Sequence, residues 1–597
     1  MFSGRRLSWA ISFLLLAASL HSQTDSANSA VPTFQSKVRA VLVDVTVTDR
    51  GGASINDLKQ EDFEVTESGK PQTIASFEEH KAQAPKALPP LPPHVYTNNP
   101  LNKTADSVNV LVLDALNTPV ADQMFARQQM IKYLKQIDPG SSLAIFTLTT
   151  RLRIVEGFTA DPSSLIAALN QKNWGGRPQT VGLLGSQTDN ADQEAAQNLA
   201  NSGGPGGFGG AFALQAIQQF LTEQASSASY VRIQMTLQSL QELARYLSGF
   251  PGRKNVIWFA GSFPISVLPT TGRDYDLSLS GDLKEKLRKT TNMLAAAQVA
   301  IYPIAPSGLT GLDEGTSARF QNSLPVAPGL EKGGGEMAES EEGHLNLLSN
   351  QATMDYVARD TGGEAFYNTN GLKEAMSKAV NNGAHYYSIS YTPTEKTENG
   401  SYQQIQVKLK NGHYKLSYRR GYFSEDANKA AVQTAQSGDP LRPLMVRGLP
   451  ASTQIIYKVE LLPSDPQPAA NSAVAGGNAG LKQPVTRYGV DFAISIDDLD
   501  FVETPDGKHH GSIEVTVVAY DHDGHALNWT GKTFDLALRP ERYAMFTQSG
   551  LQLHQEIDVP KGDVFLRTGV YDTHTGKAGT LEVPLGSESV AAVHPTQ

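Results

Sequence analysis

Val108-Asn109-Val110-Leu111-Val112-Leu113-Asp114 is an almost unbroken apolar run that ends in an acid. A strand with one wet face alternates apolar and polar residues. A strand covered on both faces of a parallel sheet has no reason to, and this run reads as the second kind. The residues C-terminal to it keep that reading. A helical pattern runs over 121–136, strands over 142–148 and 152–158, and Asp161-Pro162 opens a helix to Leu169 with proline at its first position. An amphipathic stretch over 237–247 leads to a strand over 255–260. A helix over 283–298 leads to a strand over 299–304, and helical patterns return over 354–361 and 372–380. This alternation predicts an α/β doubly wound, Rossmann-like domain over 108–383, interrupted by glycine-rich insertions at 175–228 and 325–343 that are expected to be mobile.

Outward from this domain the period changes to that of strands. Residues 31–80 carry β-branched runs separated by Arg50-Gly51-Gly52 and Ser68-Gly69-Lys70-Pro71, which predicts a small β module. Six prolines between Pro85 and Pro100 mark 81–107 as a stiff spacer. On the other side, 384–423 holds short strands with Asn399-Gly400 and Asn411-Gly412 turns. A polar linker over 424–449 then precedes an all-β region over 450–584, expected to be a sandwich.

The N-terminus predicts export. Arg5 and Arg6 precede an apolar run over 7–20, and small and polar residues come after it, the pattern of a secretory signal over 1–22 cleaved near Gln23. The run is shorter than the ~20 residues a spanning helix needs, so a periplasmic, cell-envelope or secreted protein is expected, with no transmembrane span after cleavage. The 597-residue chain has no cysteine, which excludes disulfides, thiolate chemistry and cysteine-ligated metals. Its net charge of -10 argues against nucleic acid as a partner, because phosphate contacts need clustered Lys and Arg.

Several motifs together resemble the VWFA-related acidobacterial domain family, which carries a von Willebrand factor type A-like fold. They are Val41-Leu42-Val43-Asp44-Val45-Thr46-Val47-Thr48-Asp49, Glu61-Asp62-Phe63-Glu64-Val65, Asp114-Ala115-Leu116-Asn117-Thr118, Pro251-Gly252-Arg253-Lys254 and Tyr418-Arg419-Arg420-Gly421-Tyr422. The resemblance spans roughly 34–423. It implies export and a type A fold, flanked here by the all-β modules, and brings no characterised biochemical role.

Type A domains often bind Mg²⁺ through Asp-x-Ser-x-Ser after the first strand, a separate threonine and a later aspartate, leaving one position for a partner's carboxylate. Here Asp114 matches the first acid and Thr118 the second hydroxyl, while Leu116 replaces the first. Thr236 is the candidate for the separate threonine; the alternative places it inside a helix. Phe259-Ala260-Gly261-Ser262 stands where the last aspartate belongs, and Asn117 and Asp122 offer oxygen atoms in partial compensation. The metal set is therefore Asp114, Thr118 and Thr236 in a degenerate form. The competing reading makes Asp114 a strand-end cap for the following helix. A partner is expected at Asp114, Asn117, Thr118 and Ser262, since ligands sit outside the carboxyl ends of strands in open α/β sheets. Asp521-His522-Asp523-Gly524-His525 lacks the further acids of a calcium loop and reads as an Asp-Gly hairpin turn. No serine-nucleophile elbow, zinc-protease helix or Walker loop occurs. The expected role is binding of a protein or surface, not catalysis; the alternatives are a structural or assembly protein of the cell envelope without a metal site, and an uncharacterised hydrolase.

Overall fold

The computed structural model describes residues 40–81, 91–100, 107–137, 142–171, 230–261, 281–306, 351–395, 399–424 (except 411 and 413), 441–465, 468, 473–481 and 484–585. The signal segment, both glycine-rich insertions and Ser262 lie outside them.

The protein is mixed α/β, and the run Ser107–Asp114 is the middle strand of the one parallel-containing sheet among the described residues. Across that sheet the order is Val299–Ile304, Arg253–Phe259, Ser107–Asp114, Leu143–Leu148 and Leu152–Thr159. The first four are parallel, and the last turns back as an antiparallel edge. Both faces are covered, which is why these strands do not alternate in sequence. On one face Val110, Val112, Phe146 and Trp258 pack with Leu240, Leu243 and Leu247 of the helix over 230–247 and with Leu294 of the helix Gly281–Ala296. On the other, Leu111, Leu113 and Ile257 pack with Met130 of Val120–Leu134, Leu165 of Pro162–Asn170 and Met376 of Leu372–Ala384. Asp161 accepts from the amides of Ser163 and Ser164, capping its helix as the sequence implies.

The flanking strands behave differently from their reading as separate modules. Val41–Thr48 pairs with Tyr386–Tyr391 and Lys415–Ser417, and Phe63–Glu67 pairs with Tyr402–Leu409. Segments on either side of the α/β domain thus build one two-sheet sandwich, with Val43, Val45, Phe63, Tyr387, Ile389 and Val407 in its core. Each segment has only one apolar face and too few strands to cover it, so the two complete each other.

The 81–107 spacer also departs from expectation. Val95–Thr97 within it is an edge strand on Tyr457–Asp465 of the C-terminal sandwich. The Asn98 amide explains the attachment, since it donates to Ser452 O and Ile455 O, both at 2.8 Å, and accepts from Tyr457 N at 2.9 Å. The end of the 424–449 linker is likewise packed. The 3-10 turn Arg442–Met445 lies on the sandwich, and the buried guanidinium of Arg567 donates to Leu444 O and Leu449 O. The C-terminal region otherwise forms two sheets around Val459, Phe492, Val515, Val517 and Leu566.

Among the described residues no helix is long and apolar enough to cross a membrane.

Candidate functional site

Asp114 is the last residue of its strand and is fully buried. The chain turns sharply after it, and the carboxylate holds that turn. Oδ1 accepts from Leu116 N at 3.1 Å and Asn117 N at 2.9 Å. Oδ2 accepts from Asn117 Nδ2 at 2.8 Å and from Trp258 Nε1 at 3.1 Å. Four donors therefore occupy a group with about four lone-pair sites. Burial pushes the Asp114 carboxyl up to about 6, against the pull of Asn117, Trp258 and Leu116.

Thr236 does lie within a helix, that over 230–247, and its hydroxyl donates to Arg232 O at 2.9 Å. The same Oγ1 accepts from Asn117 Nδ2 at 2.9 Å. One carboxamide nitrogen thus bridges Asp114 and Thr236. Thr118 is fully buried, and its Oγ1 accepts from Gly261 N at 3.0 Å, pinning the loop after the neighbouring strand. That approach needs the glycine, because a Cβ at 261 would lie 2.9 Å from Pro119 Cδ. Leu116 points into the core, as an aliphatic side chain must. The following helix is not capped by Asp114: its N-cap is Pro119, and Gln123 Nε2 reaches back to Thr118 O at 2.7 Å and Ala115 O at 3.2 Å.

The structure brings Asp114, Asn117, Thr118 and Thr236 together at the carboxyl edge of the sheet. It does so as a closed hydrogen-bonded lattice. The donor set does not fit Mg²⁺, which needs octahedral oxygen ligation and retained waters. Both carboxylate oxygens of Asp114 and the hydroxyls of Thr118 and Thr236 already accept hydrogen bonds, and an amide nitrogen stands between Asp114 and Thr236.

Two contributors escaped the sequence reading, Trp258 and Gln123. Trp258 had a legible signal: an indole N–H in a fully buried strand demands an acceptor, and Trp258 sits beside Val112 in register, two residues from Asp114. At the C-terminal hairpin, Asp521, Asp523 and His525 do come together. All the same, Asp521 is bonded to the His525 amide as a turn residue, which is the Asp-Gly hairpin expected.

No protein-family model matches the chain, and no curated protein matches it. Among solved structures it is similar to an aerotolerance-related membrane protein from Bacteroides fragilis, at 10% identity, 46% of this chain, 98% of that chain and a TM-score of 0.20. It is also similar to the PilB minor pilin from Streptococcus sanguinis, at 12% identity, 46% of this chain, 59% of that chain and a TM-score of 0.21. A third is the type V pili tip protein Mfa5 from Porphyromonas gingivalis, at 8% identity, 86% of this chain, 77% of that chain and a TM-score of 0.21. Likenesses this slight decide neither fold nor function.

Proposed function

We propose that the chain is an exported, partner-binding protein of the cell envelope. Its type A-like α/β domain would meet a protein or surface ligand at the carboxyl edge of the sheet, without a shared metal. The observation that carries this reading is the Asn117 carboxamide bridging Asp114 and Thr236. It fixes the first strand-end loop to the helix over 230–247 by hydrogen bonds alone, and a pre-organised loop binds at lower entropic cost. The adjoining surface supports the placement. Pro119 is exposed, and Met124, one turn into the following helix, is 56% exposed although apolar. The signal-like N-terminus and the family resemblance over 34–423 support export and the type A reading, and the lack of a catalytic motif favours binding over catalysis.

The test immobilises the mature chain and measures retention of envelope proteins in Mg²⁺ and in EDTA, beside Met124→Glu. Equal retention in both buffers with a marked loss in Met124→Glu is expected. Retention that collapses in EDTA would overturn the metal-free reading. Retention indifferent to Met124→Glu but lost on changing the C-terminal sandwich would overturn the placement.

A further inference from the structure

The C-terminal sandwich carries a groove on the outer face of His509–Tyr520 and Ala526–Leu538. In this antiparallel pair Trp529 lies opposite Val518, Gly531 opposite Thr516 and Thr533 opposite Glu514, so these six residues share one face. The alternate residues Val515 and Val517 fill the core, which turns that face outward. Part of it is roofed by Leu441 and Met445, which pack on Val518. The rest is an open groove of about 240 Å³ lined by Glu514, Thr516, Trp529, Gly531, Lys532 and Thr533, with Thr530.

Three features make this more than a stray surface tryptophan. Trp529 is 48% exposed, the most exposed aromatic side chain among the described residues. It is also braced. Gly477 N donates to Trp529 O at 2.7 Å, and Gly477 sits so close to the indole that a Cβ there would fall 2.4 Å from Nε1. The loop bearing Gly477 is itself tied down through buried Asn528, which donates to Ala475 O at 2.9 Å and Asp558 O at 2.8 Å and accepts from Asn478 N at 3.1 Å. Finally, Gly531 leaves the groove floor bare; a Cβ there would already lie 3.1 Å from Thr516 Oγ1. A rigid aromatic wall thus stands over a backbone floor, with the Glu514 carboxylate and the hydroxyls of Thr516 and Thr533 around it.

We propose that this groove binds a β-linked glycan of equatorially substituted pyranose rings. Such a ring offers a flat face of axial C–H bonds, slightly positive, which matches the negative face of an indole. Its rim of hydroxyls both donates and accepts, which suits the Glu514 carboxylate and the hydroxyls of Thr516 and Thr533 together. A buried apolar anchor would require a deeper, drier pocket, an anionic ligand would meet the Glu514 carboxylate, and the Lys532 ammonium is turned to the other face, over Phe534. This site is separate from the carboxyl edge of the α/β sheet and does not depend on what binds there.

Titration of the mature chain with cellohexaose, followed by calorimetry and tryptophan fluorescence, tests the assignment. Saturable binding is expected, weakened by roughly tenfold or more in Trp529→Ala and less in Trp529→Phe. Gly531→Val should abolish it by filling the groove; valine suits a strand, so an unchanged melting midpoint separates loss of the groove from loss of the fold. Met124→Glu should bind as wild type does. The proposal is overturned if wild type shows no saturable binding at millimolar cellohexaose. It is equally overturned if Trp529→Ala and Gly531→Val bind undiminished, as they would if the glycan bound elsewhere on the chain; a groove that served a protein partner instead would leave wild type without cellohexaose binding.

Discussion

The two ends of the central parallel sheet both bury charged groups, and they use them in opposite ways. At the amino end, the guanidinium of Arg253 is 2% exposed; it donates to Gly362 O at 2.6 Å and reaches Tyr302 Oη at 3.3 Å and Asp44 O at 3.5 Å. Asp44 comes from the N-terminal sandwich, and its carboxylate accepts from Ser388 at 2.7 Å and Gln298 at 3.1 Å. Within the sandwich, Arg419 holds its two halves together through a bond to Leu42 O at 2.6 Å. This end joins the α/β domain to the sandwich, through bonds between residues hundreds of positions apart. At the carboxyl end, Asp114 works mainly on residues two and three positions ahead of it. One end is an interface already occupied by the protein's own chain. The other is a closed loop whose outer surface is left for something else.

That contrast can be broken by substitution. Arg253→Ala should cost the most, about 3–5 kcal/mol, because it strands the buried Gly362 and Asp44 carbonyls and removes one of the positive charges beside the Asp44 carboxylate. Chemical denaturation should then show the sandwich and the α/β domain parting into separate transitions; a single unshifted transition would mean that this end is not the joint. Asp114→Ala should cost somewhat less, about 2–4 kcal/mol, since the donors it strands include amides that can reach water once the loop loosens. Its effect should stay within the α/β transition.

The pH dependence sharpens the same point. The Asp114 carboxyl is raised from an ordinary 3.8 to about 6, so between those values the folded chain holds more protons than the unfolded one. Stability contributed by this group is therefore present at low pH and falls as pH rises from about 4 to about 6, by on the order of 3 kcal/mol. The unfolding free energy of Asp114→Asn should lack that slope; parallel pH profiles for the two proteins would refute the burial argument.

Smaller effects are expected away from these two ends. The helix over 230–247 runs from the Thr236 contact to the C-terminal sandwich, where Thr453 Oγ1 donates to Tyr246 O at 2.7 Å and accepts from Gly249 N at 2.8 Å. A Cβ at 249 would lie 2.7 Å from that of Thr453, so Gly249→Ala should cost about 1–3 kcal/mol and loosen this docking. Faster amide exchange in 453–457, with none in 107–114, would be the signature. The smallest expected effect is that of Mg²⁺. A closed donor set gives a melting midpoint that is the same in millimolar Mg²⁺ and in EDTA, and a clear rise with Mg²⁺ would show that the Asn117 bridge opens to admit it.

The features legible in the sequence were those that depend on local pattern. Unbroken apolar runs marked strands covered on both faces, Asp161-Pro162 marked a helix start, and Asp114, Asn117, Thr118 and Thr236 were picked out as a group that the fold does bring together. Tertiary structure alone decided the rest. That 41–80 and 386–423 are halves of one sandwich, that Val95–Thr97 leaves the spacer to join another domain, and that Trp258 completes the Asp114 lattice all depend on partners far away in the chain. A strand's sequence records which of its faces is buried, but its hydrogen-bonding edges are backbone, identical for every residue. The sequence therefore states that a partner is needed and leaves its identity to the packing of the whole.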